Sequence, residues 1–232
     1  MTFAMYTEEQ MKSFENKIIN MDCLDFLKKC PDNYFSLVLT DPPYGINIEK
    51  MNFTNSTKGG VCKRNDYSNC FADDKISKDV FDEIIRVSKN QIIFGGNYYS
   101  EYLHSTQGWI VWNKKGDGRY SNDFADGELA WTSLNKPLKI YNYLWTGMIQ
   151  QDMKNKEKRI HPTQKPADLF GMILRDYSKE NDLILDPFSG SGTTAIACHN
   201  LKRRFICIEK DFDYWKASVE RLKEHQRQLS LF

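Results

Sequence analysis

Short apolar runs recur along the chain, each bounded by polar residues and several followed by a stretch of helical period. Residues 36–40, 91–94, 108–112, 183–185 and 204–208 are near-continuous apolar runs of strand length, and residues 17–20 are strand-like. Runs without a polar alternate suit strands of a sheet covered on both faces. Apolar positions three or four apart predict three helices, marked by Val80, Ile84 and Val87, by Phe170, Leu174 and Tyr177, and by Trp215, Val219 and Leu222. Pro166 suits the first turn of the second, where its missing N–H costs little. Strands alternating with helices predict a doubly wound, mostly parallel α/β sheet, and the 232 residues suffice for one domain.

Two stretches break this rhythm. Residues 45–74 are polar, rich in Asn, Lys, Ser and Gly, and follow a Pro-Pro pair. A stretch of that length without periodicity inside a compact domain is usually functional. Residues 114–159 carry Gly116 and Gly118, scattered aromatics and a basic run over 154–159. They are the best place for an inserted recognition element. The expected organisation is therefore a first half over 1–113, an insertion over 114–160 and a closing half over 161–232.

The sharpest chemical signal is Asp41-Pro42-Pro43-Tyr44, directly after the apolar run 37–39. Two prolines at a strand end force the chain out of the sheet in a stiff, extended turn. Such a turn gathers a carboxylate, carbonyls without competing N–H donors and an aromatic ring. Methylation of an aromatic amine needs that combination, because the amine lone pair is delocalised into its ring. Hydrogen bonds from the amino group to Asp41 and to the Pro42 carbonyl localise it, while Tyr44 stacks on the base. An ordinary strand-end turn is the competing reading of these four residues.

The second signal begins Asp186-Pro187-Phe188-Ser189-Gly190-Ser191-Gly192-Thr193, again after an apolar strand. Glycines let backbone approach a ligand closely, and a helix is expected to begin near Thr193 or Thr194, its N-terminus open to an anionic group. No Gly-Lys-Ser/Thr follows, and the third glycine of the dinucleotide fingerprint is missing. The next strand ends at Glu209, 19 positions after Gly190 (209 − 190), where doubly wound folds hold a nucleotide ribose. These features describe a pocket for an adenosine-bearing cofactor; a purely structural turn is the alternative.

Charge changes the picture little. With 32 basic and 31 acidic residues, any contact with nucleic acid must rest on local clusters. The irregular stretches supply Lys58, Lys63 and Arg64, then Lys114, Lys115, Arg119, Lys154, Lys156, Lys158 and Arg159. The six cysteines form no C-x-x-C pair, and the four histidines are badly spaced for zinc, so reduced thiols and no metal are expected. No run of about 18 apolar residues and no signal-type N-terminus appear, which predicts a cytoplasmic protein without a membrane partner.

The two motifs together resemble the DNA amino-methyltransferases in which the catalytic motif precedes the cofactor loop. The resemblance covers nearly everything but the recognition segment. His161-Pro162-Thr163-Gln164-Lys165-Pro166 is similar to that family's element lining the methionine end of the cofactor pocket. Asp22 resembles its acidic contact to the cofactor adenine, and residues 108–114 its strand beside the target-base pocket. The resemblance implies a seven-stranded, circularly permuted sheet of the S-adenosylmethionine-dependent methyltransferase type. Implied cofactor-binding residues are Asp22, Asp41, His161, Thr163, Lys165, Asp186, Phe188, Ser189, Gly190, Ser191, Gly192, Thr193 and Glu209; Asp41, Pro42, Pro43 and Tyr44 are catalytic. The implied reaction is direct methyl transfer from S-adenosylmethionine, leaving S-adenosylhomocysteine, to adenine N6 of a flipped-out base in double-stranded DNA. Members acting on cytosine N4 more often carry Ser at the Asp41 position. RNA and protein-glutamine enzymes more often carry Asn there and place the cofactor loop first. A binding module that has lost catalysis is a further alternative. A second copy of the chain and a cognate restriction enzyme are open as partners.

Overall fold

The computed structural model describes residues 4–46, 74–116, 125–146 and 149–229. Its strands are β1 Lys17–Asn20, β2 Leu37–Thr40, β3 Gln91–Phe94, β4 Trp109–Asn113, β5 Gly127–Thr132, β6 Lys139–Asn142, β7 Trp145–Thr146, β8 Ile149–Gln150, β9 Leu183–Asp186 and β10 Arg204–Glu209. The helices are α1 Glu8–Phe14, α2 Cys23–Leu27, α3 Lys78–Val87, α4 Ala167–Tyr177, α5 Thr193–Asn200 and α6 Phe212–Leu229.

Eight strands form one sheet in the order β1-β10-β9-β2-β3-β5-β4-β6, while β7 and β8 pair apart from it. All neighbours run parallel except at β5, which opposes β3 and β4. The apolar runs became strands because β2, β3 and β9 are buried at every position. One face is covered by α4, α5 and α6, whose Phe170, Leu174, Ala195, Ile196 and Leu222 pack against Leu39, Ile92, Phe94 and Ile184. The other face carries α1, α2 and α3, with Met11, Phe26, Phe81 and Ile84 against Val38, Ile93, Leu185 and Ile206. Each such fully buried side chain stabilises the fold by roughly 1.5–3 kcal/mol. Cys198 and Cys207 are fully buried in this core, as small apolar residues.

The sheet has one strand more than the seven expected. The added strand, β6, and the antiparallel β5 both fall inside residues 114–160, the stretch expected to be an insertion. After Asn142 the same stretch carries β7 and β8, which pair apart from the sheet. The helix α1 had no apolar period to announce it. It is fixed by a capping box, in which Thr7 Oγ1 accepts from the Gln10 N–H and the Gln10 side chain accepts from the Thr7 N–H. Pro166 stands one position before α4, as its N-cap. Among the described residues, no helix is long and apolar enough to cross a membrane.

The strand order reverses between β9 and β2. From there the chain builds β10 and β1 to one side and β3 to the other. Ligands of open α/β sheets bind at the carboxyl ends of strands at such a switch point. Both sequence motifs leave the sheet there, Asp41 from the end of β2 and Asp186 from the end of β9.

Candidate active site

Asp186 ties the switch point together. It is buried, and its oxygens accept from Thr40 Oγ1 at 2.7 Å, Thr194 Oγ1 at 2.5 Å and the Phe188 N–H at 3.1 Å. One carboxylate thus links β2, β9 and the start of α5. Burial pushes it up to about 6, despite those three donors. The folded chain therefore holds this proton more tightly than the unfolded chain does, and this group makes stability fall as pH rises from about 4 to about 6. Asp186→Leu would leave three buried donors unpaired. We expect it to cost about 3 kcal/mol and lower the melting temperature by roughly 6–12 °C. Asp186→Asn keeps an acceptor and should remove that pH slope; thermal denaturation across pH 4–7 checks both.

In the turn that leaves β2, the Tyr44 hydroxyl donates to Asp41 Oδ1. The Tyr44 ring stacks on Tyr98 with centroids 4.8 Å apart and planes 19° from parallel. Tyr98 lies in the 3-10 turn Gly96–Tyr99 that follows β3 and is 41% exposed. Tyr99 of the same turn donates to the Pro43 carbonyl. Gly95, at φ +66°, makes room for Tyr44, since a Cβ there would lie 2.0 Å from Tyr44 Cε1. The other oxygen of Asp41 meets Lys165 Nζ at 2.7 Å. Lys165 also meets Glu128 Oε2 at 2.9 Å, and Glu128 Oε1 meets Lys114 Nζ at 2.8 Å. Burial raises the Asp41 carboxyl above its ordinary range even with Lys165 beside it. Burial works against the charge of Glu128 too, but Lys165 and Lys114 hold it down at about 2.

Glu128 and Tyr98 therefore join the site, and Lys165, expected on its cofactor side, reaches Asp41. Lys165 is in the sequence motif at 161–166, but nothing in that motif shows that its cation reaches Asp41. Glu128 had one visible signal, a lone charge within an otherwise apolar strand.

The second loop turns at Gly190, φ +50°, and Gly192, φ +77°, the N-cap of α5. A Cβ on Gly192 would sit 3.0 Å from Ile18 Cδ1 and 3.2 Å from Ser218 Cβ, so glycine is needed there for packing and for conformation. Glu209 Oε2 accepts from the Gly190 N–H at 2.7 Å and Oε1 from the Asp211 N–H at 2.8 Å. Asp22 caps α2 through Leu24 N–H at 2.9 Å and pairs with Lys210 at 3.0 Å. Asn20 and Glu209 are register partners, so the two carboxylates stand on adjacent strand tips. A carboxylate has about four lone-pair sites, and these backbone bonds leave acceptor capacity on both. His161 packs edge-on against Tyr214, 4.3 Å between centroids, with Thr163 Oγ1 at 3.1 Å from Nδ1. Burial lowers His161 to about 4, so the ring is neutral at pH 7. A Cβ placed on Gly190 would meet that ring at 3.6 Å. Thr193 Oγ1 donates to the Lys165 carbonyl at 2.9 Å, and Arg221 to the Ser191 carbonyl at 2.9 Å. Phe188 and Ser189 belong to the same loop, Phe188 packed against the core and Ser189 buried.

The basic residues divide into three groups. Lys58, Lys63, Arg64 and Arg119 lie outside the described residues. Lys114 and Lys115 turn inward as ion pairs with Glu128 and Asp126, instead of standing open to solvent. The pairing of β4 with β5 places Asn113 opposite Gly127, which brings the flanking lysines against the flanking acids. Lys154, Lys156, Lys158 and Arg159 are exposed on the segment leading to His161.

The family model described as DNA methylase, of the N6/N4 type, matches residues 35–220. The type II methyltransferase M.HinfI of Haemophilus influenzae is 30% identical, the match covering 94% of this chain and 71% of that one. The type II methyltransferase M2.MboI of Moraxella bovis is 27% identical over 97% of this chain and 93% of its own. Among solved structures, the M1.HpyAVI–SAM complex superposes with a TM-score of 0.52 at 22% identity, covering 89% of this chain and 98% of that one. The cytosine-N4-specific PvuII DNA methyltransferase gives 0.54 at 17% identity, covering 91% of each. The fold is thus that of S-adenosylmethionine-dependent methyltransferases. With a family match across most of its length and a relative of this similarity, the chain belongs to the N6/N4 DNA methylase family and is a site-specific DNA methyltransferase.

Proposed function

We propose that the chain transfers a methyl group from S-adenosylmethionine to N6 of an adenine flipped out of duplex DNA. The observation that carries this reading is the convergence of Asp41 and Tyr44, in hydrogen-bond contact, at the strand end beside the glycine loop of β9. The residues around that loop fit the cofactor. Glu209 and Asp22 offer acceptors to ribose hydroxyls and an adenine amine, Phe188 offers an apolar wall, and Ser189 Oγ is buried in the loop. Lys165, Thr163 and neutral His161 border the end nearer Asp41. When bound, the cofactor supplies a sulfonium methyl group to the amine. The protein's own part is to bind, orient and polarise that amine.

A base inside a duplex cannot reach such a turn, so the target is extruded at a cost of roughly a few kcal/mol. Stacking on Tyr44 returns about 1–3 kcal/mol. The amino group then donates to Asp41 and to the Pro42 carbonyl, which localises its lone pair along the line to the methyl group, and the rate gain comes mainly from that orientation. Exposed Lys154, Lys156, Lys158 and Arg159 supply charge for phosphate contacts.

Adenine is favoured over cytosine by Asp at position 41, since the resemblance associates Ser there with N4 enzymes. Cytosine N4 is the second reading, because the fold is shared with a cytosine-N4-specific enzyme. Incubation of unmethylated genomic DNA with isotope-labelled cofactor, followed by nucleoside mass analysis, tests the choice. Label in N6-methyladenine supports it, and label in N4-methylcytosine overturns it. The geometry also separates two roles of Tyr44. Tyr44→Phe keeps the ring and loses only the bond to Asp41, so we expect single-turnover methylation within about tenfold of normal. Tyr44→Ala should lose on the order of 10- to 100-fold, the worth of one stacked base.

A further inference from the structure

We infer that Glu128 and Lys165 act as positioning residues that hold Asp41 in place and set its charge, so that strand β5 governs the acid limit of the reaction. The inference rests on the role proposed above for Asp41.

Four side chains from separate parts of the chain alternate in sign. Asp41 follows β2, Lys165 precedes α4, Glu128 lies in β5 and Lys114 follows β4. Their contacts are 2.7, 2.9 and 2.8 Å in succession, and the set sums to no net charge. The Lys165 side chain is 8% exposed and also lies 5.9 and 5.7 Å from the ring centroids of Tyr44 and Phe94. A lysine this enclosed is costly to keep unless its charge is matched, and here two carboxylates match it.

The groups facing Asp41 act in opposite directions. Lys165 favours its ionised form, and the Tyr44 hydroxyl donates to it. Glu128 from β5 and Asp186 from β9 add negative charge that opposes ionisation, as does burial. Asp41 already meets the Tyr44 hydroxyl and Lys165, and it serves the amine best as a charged acceptor, so activity at low pH is limited by its protonation. Glu128 has two effects at once. It anchors and charges Lys165, and it repels Asp41.

Substitution at the two positions should therefore move the acid limb of the pH profile in opposite directions. Lys165→Met removes the attractive charge and should move the limb up by about one pH unit or more. Glu128→Gln removes the repulsive charge and leaves Lys165 to Asp41 alone, so the limb should move down, by up to about one unit. Lys165→Arg, still cationic, should bring the limb back toward that of the unaltered protein. The measurement is single-turnover methylation of unmethylated genomic DNA with tritiated S-adenosylmethionine from pH 5 to 9. Circular dichroism and a cooperative thermal unfolding transition show that each variant is folded. A residue that only braced the sheet would lower the rate at every pH and leave the limb where it was. A limb that stays in place in Glu128→Gln, or moves the same way in both variants, overturns the inference. If Lys165→Met fails to fold, the direction of movement in Glu128→Gln decides alone. Asp41→Ala, run alongside, separates the two levels. If it remains active, the role of Asp41 itself is wrong. If it is inactive while the limb in Glu128→Gln does not move, only the present inference fails.

Discussion

Asp41→Ala should abolish methyl transfer, by about three orders of magnitude or more in single-turnover rate, and leave the affinity for S-adenosylmethionine within a few-fold. The size follows from what the carboxylate does. In the proposed reaction it is the charged acceptor at the amine, and removing one preorganised group at a reacting centre commonly costs 10²–10³-fold (roughly 3–4 kcal/mol of barrier). Loss of the orienting hydrogen bond adds to that. Cofactor binding should persist because Glu209, Asp22 and the glycine loop stand on β10, β1 and β9, outside the altered turn. The fold should persist too, since Lys165 keeps Glu128 at 2.9 Å and is not stranded as a buried lone cation. Calorimetry showing lost cofactor affinity, or an assay showing retained transfer, would sink the role assigned to Asp41.

Gly95→Ala should be as damaging as loss of the Tyr44 ring, although Gly95 has no side chain to contribute. At φ +66° an added methyl is strained by about 1 kcal/mol, a tolerable amount. The intolerable part is steric. The new Cβ would fall 2.0 Å from Tyr44 Cε1 and 2.5 Å from Cζ, so the ring must leave the place where its hydroxyl reaches Asp41. We expect a loss of about 10- to 100-fold in transfer, like that of Tyr44→Ala itself, with cofactor affinity nearly unchanged. The neighbouring Gly96→Ala is the contrast. Its Cβ would meet Trp131 Cβ at 2.5 Å, inside the core, so its effect should appear as lost stability. Thermal denaturation and single-turnover assays of the pair separate a catalytic clash from a structural one. If Gly95→Ala keeps full activity, Tyr44 does not need its present position.

Much of the architecture was legible because buried parallel strands read as unbroken apolar runs. β2, β3, β9 and β10 announce themselves in that way, and Asp41, Asp186 and Glu209 could be singled out because each ends or directly follows such a run. β5 was not legible. Its GELAWT carries a charge near its start, and the partners that explain that charge are Lys114 and Lys165, one on each side in sequence and neither adjacent. Lys114 and Lys115 looked like phosphate contacts for the same reason. A lysine whose acid lies across a strand pair is indistinguishable, in sequence, from one facing solvent. The resemblance implies Asp186 as a cofactor contact; the bonds from Thr40, Thr194 and the Phe188 N–H to its oxygens, which fix the loop, are not visible in sequence.

The position of β5 between β3 and β4 bears on how this enzyme could be given a different target sequence. Exchanging residues 114–160 for the corresponding part of a relative would excise an inner strand, the edge strand β6 and the acid that neutralises Lys165. Such a chimera would be crippled before its specificity could be read. A transplant cut after Asn142 and rejoined before His161 spares the eight-stranded sheet, and the donor segment must then refill the core where Tyr143 and Trp145 are buried and offer Trp112 Nε1 the carbonyl it now finds on Tyr143 at 2.9 Å. It must also present an acid where Glu157 now meets Arg221 at 2.6 Å, because that arginine is what grips the Ser191 carbonyl from behind.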